Sequence, residues 1–195
     1  MTDERRILIG GVGHPFLRDI SVGPVLVPRL KEIDWPGGVE VEVVDLHFGP
    51  IHVVQWLEEK PGYFSRVVFL SAVNRDREPG AVYAYMWNGA LPDPEEIHQR
   101  VCEAVTGIIG IDNLLIIGSH FEVWPEEVVV VEVEPCEEEF GADLSALVSA
   151  ATPRIVELVR DFALGPLDGL SGDPLGPPRI EAAHPAEAKV SEARK

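Results

Sequence analysis

The sequence has only two cysteines in 195 residues, Cys102 and Cys136. Two thiols cannot build a disulfide framework. A chain of this length buries roughly 70% of its unfolded surface without one, so both are expected as reduced thiols in a cytoplasmic protein. Long apolar runs are missing as well. No stretch approaches the ~20 residues of a membrane helix, and the apolar run after Met1–Arg6 is too short for the core of a signal peptide. Positive charge is scarce: 16 Lys and Arg stand against 33 Asp and Glu, a net charge of −17. Such a surface repels phosphate backbones and anionic headgroups, which argues against nucleic acid or a membrane as partner. The usual nucleotide signatures are absent. In Gly11-Val12-Gly13-His14 the third glycine of G-x-G-x-x-G is replaced by Phe16, and no Gly-Lys-Ser/Thr of a Walker loop follows. Ser71 lacks the G-x-S-x-G setting of a serine hydrolase. No internal repeat is visible.

What the sequence does contain is an alternation of strands and helices. Ile7–Gly11 is a short apolar strand that ends in glycine. From Ser21, a candidate N-cap, Val22, Val25, Leu26, Leu30 and Ile33 share one helical face, with Pro28 placed to bend it. Strands are predicted at Val39–Val44, Val67–Leu70, Ala81–Trp87 and Val128–Val133, the third of them alternating and aromatic. Helices are predicted at Ile51–Glu58 and at Asp93–Thr106, where Asp93 caps and Pro94 takes the first position. A long final helix starts at the Ser145 cap. Its face is Leu147, Ala150, Ala151, Ile155, Leu158, Val159 and Phe162, with a kink at Pro153. Ile111–Ile117 fits either a buried helix or a strand. Asn74–Gly80 is a polar turn. The pattern predicts an α/β fold, a three-layer sandwich of a mostly parallel twisted sheet with helices on both faces, over residues 1–164. Residues 165–195, rich in Pro, Gly and Ala, are predicted to be a disordered tail. Sites in such sheets lie beyond the carboxyl ends of the strands, here Gly11–Asp19, Asp45–Gly49 and Ser71–Asn74.

Four stretches in chain order carry a family resemblance. GVGHPFLRDISVG, Gly11–Gly23, resembles the opening of the hydrogenase maturation endopeptidases, G-x-G-N-x-L-x-x-D-D/E-G-V/I-G after strand one; Gly11, Gly13, Leu17, Asp19, Val22 and Gly23 match. Val44-Asp45 with Gly49 is similar to the family's D-G-G-T-x-G, and Pro79-Gly80 is a third match. The fourth is PEEVVVVEVEP, Pro125–Pro135, followed by Gly141, Leu144-Ser145 and the PRIVELV run of Pro153–Val159. The resemblance covers about residues 6–163 and implies the fold given above. It also implies a partner, the large-subunit precursor of nickel–iron hydrogenase. Family members remove the C-terminal extension of that precursor by one cut that depends on the nickel it carries. A carboxylate in the first loop, an aspartate ending the third strand and a histidine opening a later helix are thought to engage that nickel, a donor set suited to a divalent first-row ion.

This chain departs from the family at those three positions. The first-loop ligand, after Asp19, is Ile20. The third-strand aspartate falls on Ser71. The histidine falls on Gly107 when counted back without gaps from Pro125, and on His98 with a gap. Three outcomes stay open. The ligands have moved to His14, Asp19, Asp45, His47 and His98 on the same rim. The chain keeps the docking surface without the chemistry, as a chaperone or scaffold. Or it is a small-molecule enzyme that uses a cleft of Gly11, Gly13, His14, Asp19, Asp45 and Gly49. Each residue also has a plainer role: His14 bonds its own turn, Asp19 caps the next one, and Asp45 and His47 share one side of an extended segment. His98 and Cys102, at i and i+4, share a helical face, with Cys102 expected toward the helix core. Cys136, beside Glu137–Glu139, is a poor nucleophile because negative neighbours disfavour the thiolate.

Overall fold

The computed structural model describes residues 5–107, 109–168, 170 and 172. Five strands form one sheet: β1 (Arg5–Gly11), β2 (Val39–Asp45), β3 (Arg66–Ala72), β4 (Val82–Met86) and β5 (Glu127–Val133), in the order β2-β1-β3-β5-β4. All neighbours are parallel except the edge strand β4, which runs antiparallel to β5. Five α-helices are found among the described residues: α1 (Val22–Lys31), α2 (Pro50–Glu58), α3 (Pro94–Val105), α4 (Ile111–His120) and α5 (Ala146–Leu164).

The strands alternate between two cores, as a period of two requires. Ile7, Ile9, Val68, Val129 and Val131 face one side and pack under Leu26 and Leu30 of α1 and Ile155, Leu158 and Val159 of α5. Leu8, Val67, Phe69, Val128 and Val130 face the other, under Val53 and Leu57 of α2 and Leu114 and Leu115 of α4. β3 is buried at every residue because both faces are covered. α3 packs on α4 and α2. The architecture is the predicted three-layer sandwich.

Several local expectations shift. Val25 is 37% exposed, because α1 turns its Gly23–Val27 side to the sheet. There β1 and α1 touch through glycines: a Cβ on Gly11 would lie 2.6 Å from the Gly23 carbonyl, and one on Gly23 would lie 2.4 Å from the Val12 carbonyl. Ser21 precedes α1 but does not cap it; its hydroxyl donates to the Arg18 carbonyl and closes a short 3-10 turn, Arg18–Ser21. Asp93 and Ser145 do cap, accepting from Glu95 and Glu96 N–H and from Val148 N–H. Ala150 is exposed and Leu147 only partly buried, while Val148 fills the core instead. Cys102 lies on the exposed side of α3. α5 continues past Pro153, which cannot donate to the Ser149 carbonyl; the Thr152 hydroxyl donates there instead, at 2.9 Å. The ambiguous segment 111–117 is helical. Apart from Asp112 and Asn113 it is apolar, because the sheet lies beneath it and α3 and α2 lie against it, so no clear amphipathic period marks it.

Arg66 ends α5. It is almost fully buried at the start of β3, and its Nη1 donates to the Phe162 and Gly165 carbonyls at 2.6 and 2.8 Å. Leu167 and Leu170 pack against the α1/α5 core. The rest of the predicted tail, from residue 173, lies outside the described residues. Among the described residues no helix is long and apolar enough to cross a membrane.

Candidate functional site

β1 leads through α1 to β2 on one side, whereas β3 lies on the other side of β1. The crevice between the carboxyl ends of β1 and β3 is therefore the switch point of the sheet, where ligands sit in folds of this kind. A cavity of about 210 Å³ opens there. The loop after β1 gives it Gly13 and Ile20, and β3 gives it Ser71. Arg100 and Glu103 of α3 and Asp112 of α4 close it. Gly13 is required by space: a Cβ there would lie 2.2 Å from the Ile20 carbonyl.

The charged groups around this cavity are paired with one another. Arg100 Nη1 donates to Asn113 Oδ1 at 3.0 Å and Nη2 to Glu96 Oε1 at 3.1 Å, and Glu103 lies 3.8 Å from Nη1. Arg75, in the loop after β3, grips Asp112 with two nitrogens at 2.9 and 2.7 Å. It also reaches Glu132 of β5 at 3.3 Å, and Arg77 Nη1 approaches the same carboxylate at 2.8 Å. Glu132 is fully buried and is the cross-strand partner of Ser71. Its burial pushes the carboxyl up from the usual glutamate range, while Arg75 and then Arg77 pull against that shift. Burial works against the charge on Arg75, but Asp112 and Glu132 outweigh it and hold Arg75 above the ordinary arginine range. Tyr85 is pushed up by burial and then by the Glu132 charge. The Arg75 backbone N–H donates to both oxygens of Glu134, at 3.0 and 3.1 Å, and the Arg77 guanidinium sits 3.9 Å over the Tyr83 ring. An ion cluster with this little water holds only if every charge has a partner.

The residues singled out in the sequence are scattered around this crevice. Asp19 is fully buried, and its oxygens accept from three backbone N–H groups: Cys136 at 2.8 Å, Glu137 at 2.9 Å and Ser145 at 2.7 Å. It latches the loops after β1 and β5 together, so it neither caps its own turn nor presents a free carboxylate. His14 is exposed, with Nδ1 3.4 Å from the Pro15 carbonyl. Asp45 and His47 stand at the end of β2, on the far side of β1 from Ser71, and pair with each other at 3.0 Å. Gly49 precedes α2. His98 points to solvent on α3, 3.8 Å from Cys102, while Arg100 of the same helix faces the cavity. Gly107 is exposed in the turn after α3, with φ of 86°. Among the described residues no three His, Cys, Asp or Glu side chains are grouped so as to hold a metal ion. A larger cavity, about 590 Å³ and lined by Tyr63, Phe64 and Trp124 among others, lies at the amino ends of β3 and β5, away from these loops.

Sequence reasoning missed Arg75, Arg77, Glu132, Arg100 and Glu103 as site residues. One signal was available: Glu132 is the single charge inside Val128–Val133, where a continuous apolar run marks a strand covered on both faces.

Solved structures decide which fold this is. A hydrogenase 2 maturation peptidase from Thaumarchaeota archaeon SCGC_AB-539-E09 superposes with a TM-score of 0.53 at 24% identity, over 80% of this chain and 95% of that one. The chain has the fold of the hydrogenase maturation proteases. The hydrogenase maturating endopeptidase HybD from E. coli matches with a TM-score of 0.56 at 21% identity, over 79% of this chain and 89% of that one. The NiFe hydrogenase maturation protease HycI from Thermococcus kodakarensis KOD1 matches with a TM-score of 0.55 at 21% identity, over 83% and 94%. No protein-family model and no curated protein sequence matches the chain.

Proposed function

We propose that this chain is a divergent relative of the hydrogenase maturation proteases that binds a nickel–iron hydrogenase large-subunit precursor and does not cut it by nickel-gated proteolysis. The observation that carries this reading is the make-up of the crevice between β1 and β3. The two family-type ligand positions that line its cavity hold Ile20 and Ser71. Isoleucine has no lone pair, and a neutral hydroxyl is a poor substitute for a carboxylate toward a divalent ion. Arg100 borders the same space, where its guanidinium opposes a nearby cation, and Asp112, which also lines it, is gripped by Arg75. Glu103, Asp112 and Glu132 are held by those arginines and would have to leave them to ligate.

Nickel enters this reading as the precursor's cargo. What the chain retains is the scaffold of the crevice: the close β1–α1 contact at Gly11 and Gly23, the Gly13 turn, and the Asp19 latch that fixes the loops on either side. Those features suit a docking surface that holds the precursor while it matures. Size-exclusion chromatography of the full chain with the purified nickel-loaded precursor tests it. Co-elution with an uncut precursor is expected, and separate elution of the two proteins contradicts it.

A further inference from the structure

We infer that Phe16 and Phe140 are the contact point for a basic segment of the partner, one that carries an arginine or lysine beside an apolar side chain. This rests on the reading above, in which the partner is the large-subunit precursor.

Phe16 is 60% exposed and Phe140 is 81% exposed, and neither belongs to the packed cores. They come from loops more than a hundred residues apart in sequence, yet their ring centroids are 6.4 Å apart. Two solvent-facing phenylalanines held side by side add nothing to the core. Phe16 also has φ of 66°, a left-handed conformation that a bulky side chain rarely adopts. Its presentation is fixed from beneath. The Gly141 N–H donates to the Phe16 carbonyl at 2.8 Å, the Arg18 N–H donates to the Gly141 carbonyl at 3.1 Å, and the buried Asp19 carboxylate ties both loops to the start of α5. An exposed aromatic pair of this kind is what the buried core of a protein interface is enriched in.

The surroundings select the partner's chemistry. Glu137, Glu138 and Glu139 lead into Phe140 and Asp143 follows it, while Arg18, paired with Glu137 and Glu139, is the cation that answers them. A guanidinium or ammonium that approaches this ridge meets carboxylates and can stack on an exposed ring. The same charge opposes a second copy of this chain, since each would bring its own acidic ridge and a net charge of −17. The loop that carries Phe16 also gives Gly13 and Ile20 to the cavity between β1 and β3, so a partner seated on the aromatic pair is at the crevice as well.

The test measures binding of the full chain to the immobilised precursor by interferometry, with Phe140→Ser, Phe16→Gly and Glu138→Lys as variants. Each phenylalanine variant is expected to bind about tenfold more weakly or worse. Phe16→Gly should melt no lower than the wild type, because glycine accepts that φ without strain, and this separates lost contact from lost fold. Glu138→Lys and added salt should both weaken binding. Variants that bind as tightly as the wild type overturn this inference and leave the proposed function standing. A wild-type chain that does not bind the precursor overturns both. A wild-type dimer that Phe140→Ser converts to a monomer in ultracentrifugation assigns the pair to self-association and overturns it too.

Discussion

The Asp19 carboxylate accepts a hydrogen bond from the Ser145 backbone N–H at 2.7 Å, across 126 positions of sequence. With its bonds from Cys136 and Glu137 N–H it satisfies three donors at once and sits fully buried. Removing it leaves the buried Ser145 N–H and the part-buried Cys136 and Glu137 N–H groups without their acceptor. Asp19→Ala is expected to cost about 3 kcal/mol or more, since each of three donors left without its acceptor costs about 1–3 kcal/mol, most at the buried Ser145 N–H. Urea unfolding checks this; a loss under about 1 kcal/mol would mean that the latch is dispensable.

Glu132 carries the second prediction. Two arginines answer one buried carboxylate at 3.3 and 2.8 Å. Breaking such a cluster from one side leaves uncompensated charge and costs about 3–5 kcal/mol. The double substitution Glu132→Ala with Arg75→Ala should therefore destabilise by less than the sum of the two single effects. A double-mutant cycle by denaturant melts measures the coupling, and a coupling near zero would contradict the geometry.

Glu127 gives a pH dependence. Its hydrogen bond from Arg66, at 2.7 Å, holds the carboxyl below the usual glutamate range, against a smaller opposing effect of burial. The folded state then binds its proton more weakly than the unfolded state does. The stabilisation is present above the unfolded glutamate value and is lost as pH falls through the lower folded value. Melting temperatures of wild type and Glu127→Gln should differ near neutral pH, and the gap should close as pH falls below the usual glutamate range. A gap that stays constant across that range would remove the ion pair from the account.

Ser71 tests the crevice itself. Placing a carboxylate there with Ser71→Asp sets it beside its cross-strand neighbour Glu132, in a buried position. Like charges without solvent should lower stability by about 1–3 kcal/mol. Combined with Ile20→Glu, the change restores two carboxylates to the cavity, and nickel should then raise the melting temperature where it leaves the wild type unchanged. Equal nickel responses in the two proteins would show that Ile20 and Ser71 do not govern cation binding.

Much of the fold was readable because strand and helix leave different periods in a sequence. The apolar strands Ile7–Gly11, Val67–Leu70 and Val128–Val133 are covered on both faces, so nearly every residue is apolar. Asp93 and Ser145 announced their helices because capping is a local bond. α4 was not readable, since apolar neighbours on all sides erase the stripe. The site was legible only as loops. The rim read from the sequence, Gly11–Asp19 and Ser71–Asn74 among it, held Gly13 and Ser71, but Arg75 and Arg77 read as part of a polar turn, and nothing local shows that they turn inward to Glu132. Asp19 matched a motif, yet its partners lie near residue 140, and a long-range latch has no signature in a window of ten residues.

The most direct measurement is the intact mass of the nickel-loaded large-subunit precursor after incubation with this protein. The account predicts an unchanged precursor mass in a stable complex. A precursor shortened at its C-terminus, in the presence of nickel and not in its absence, would contradict it.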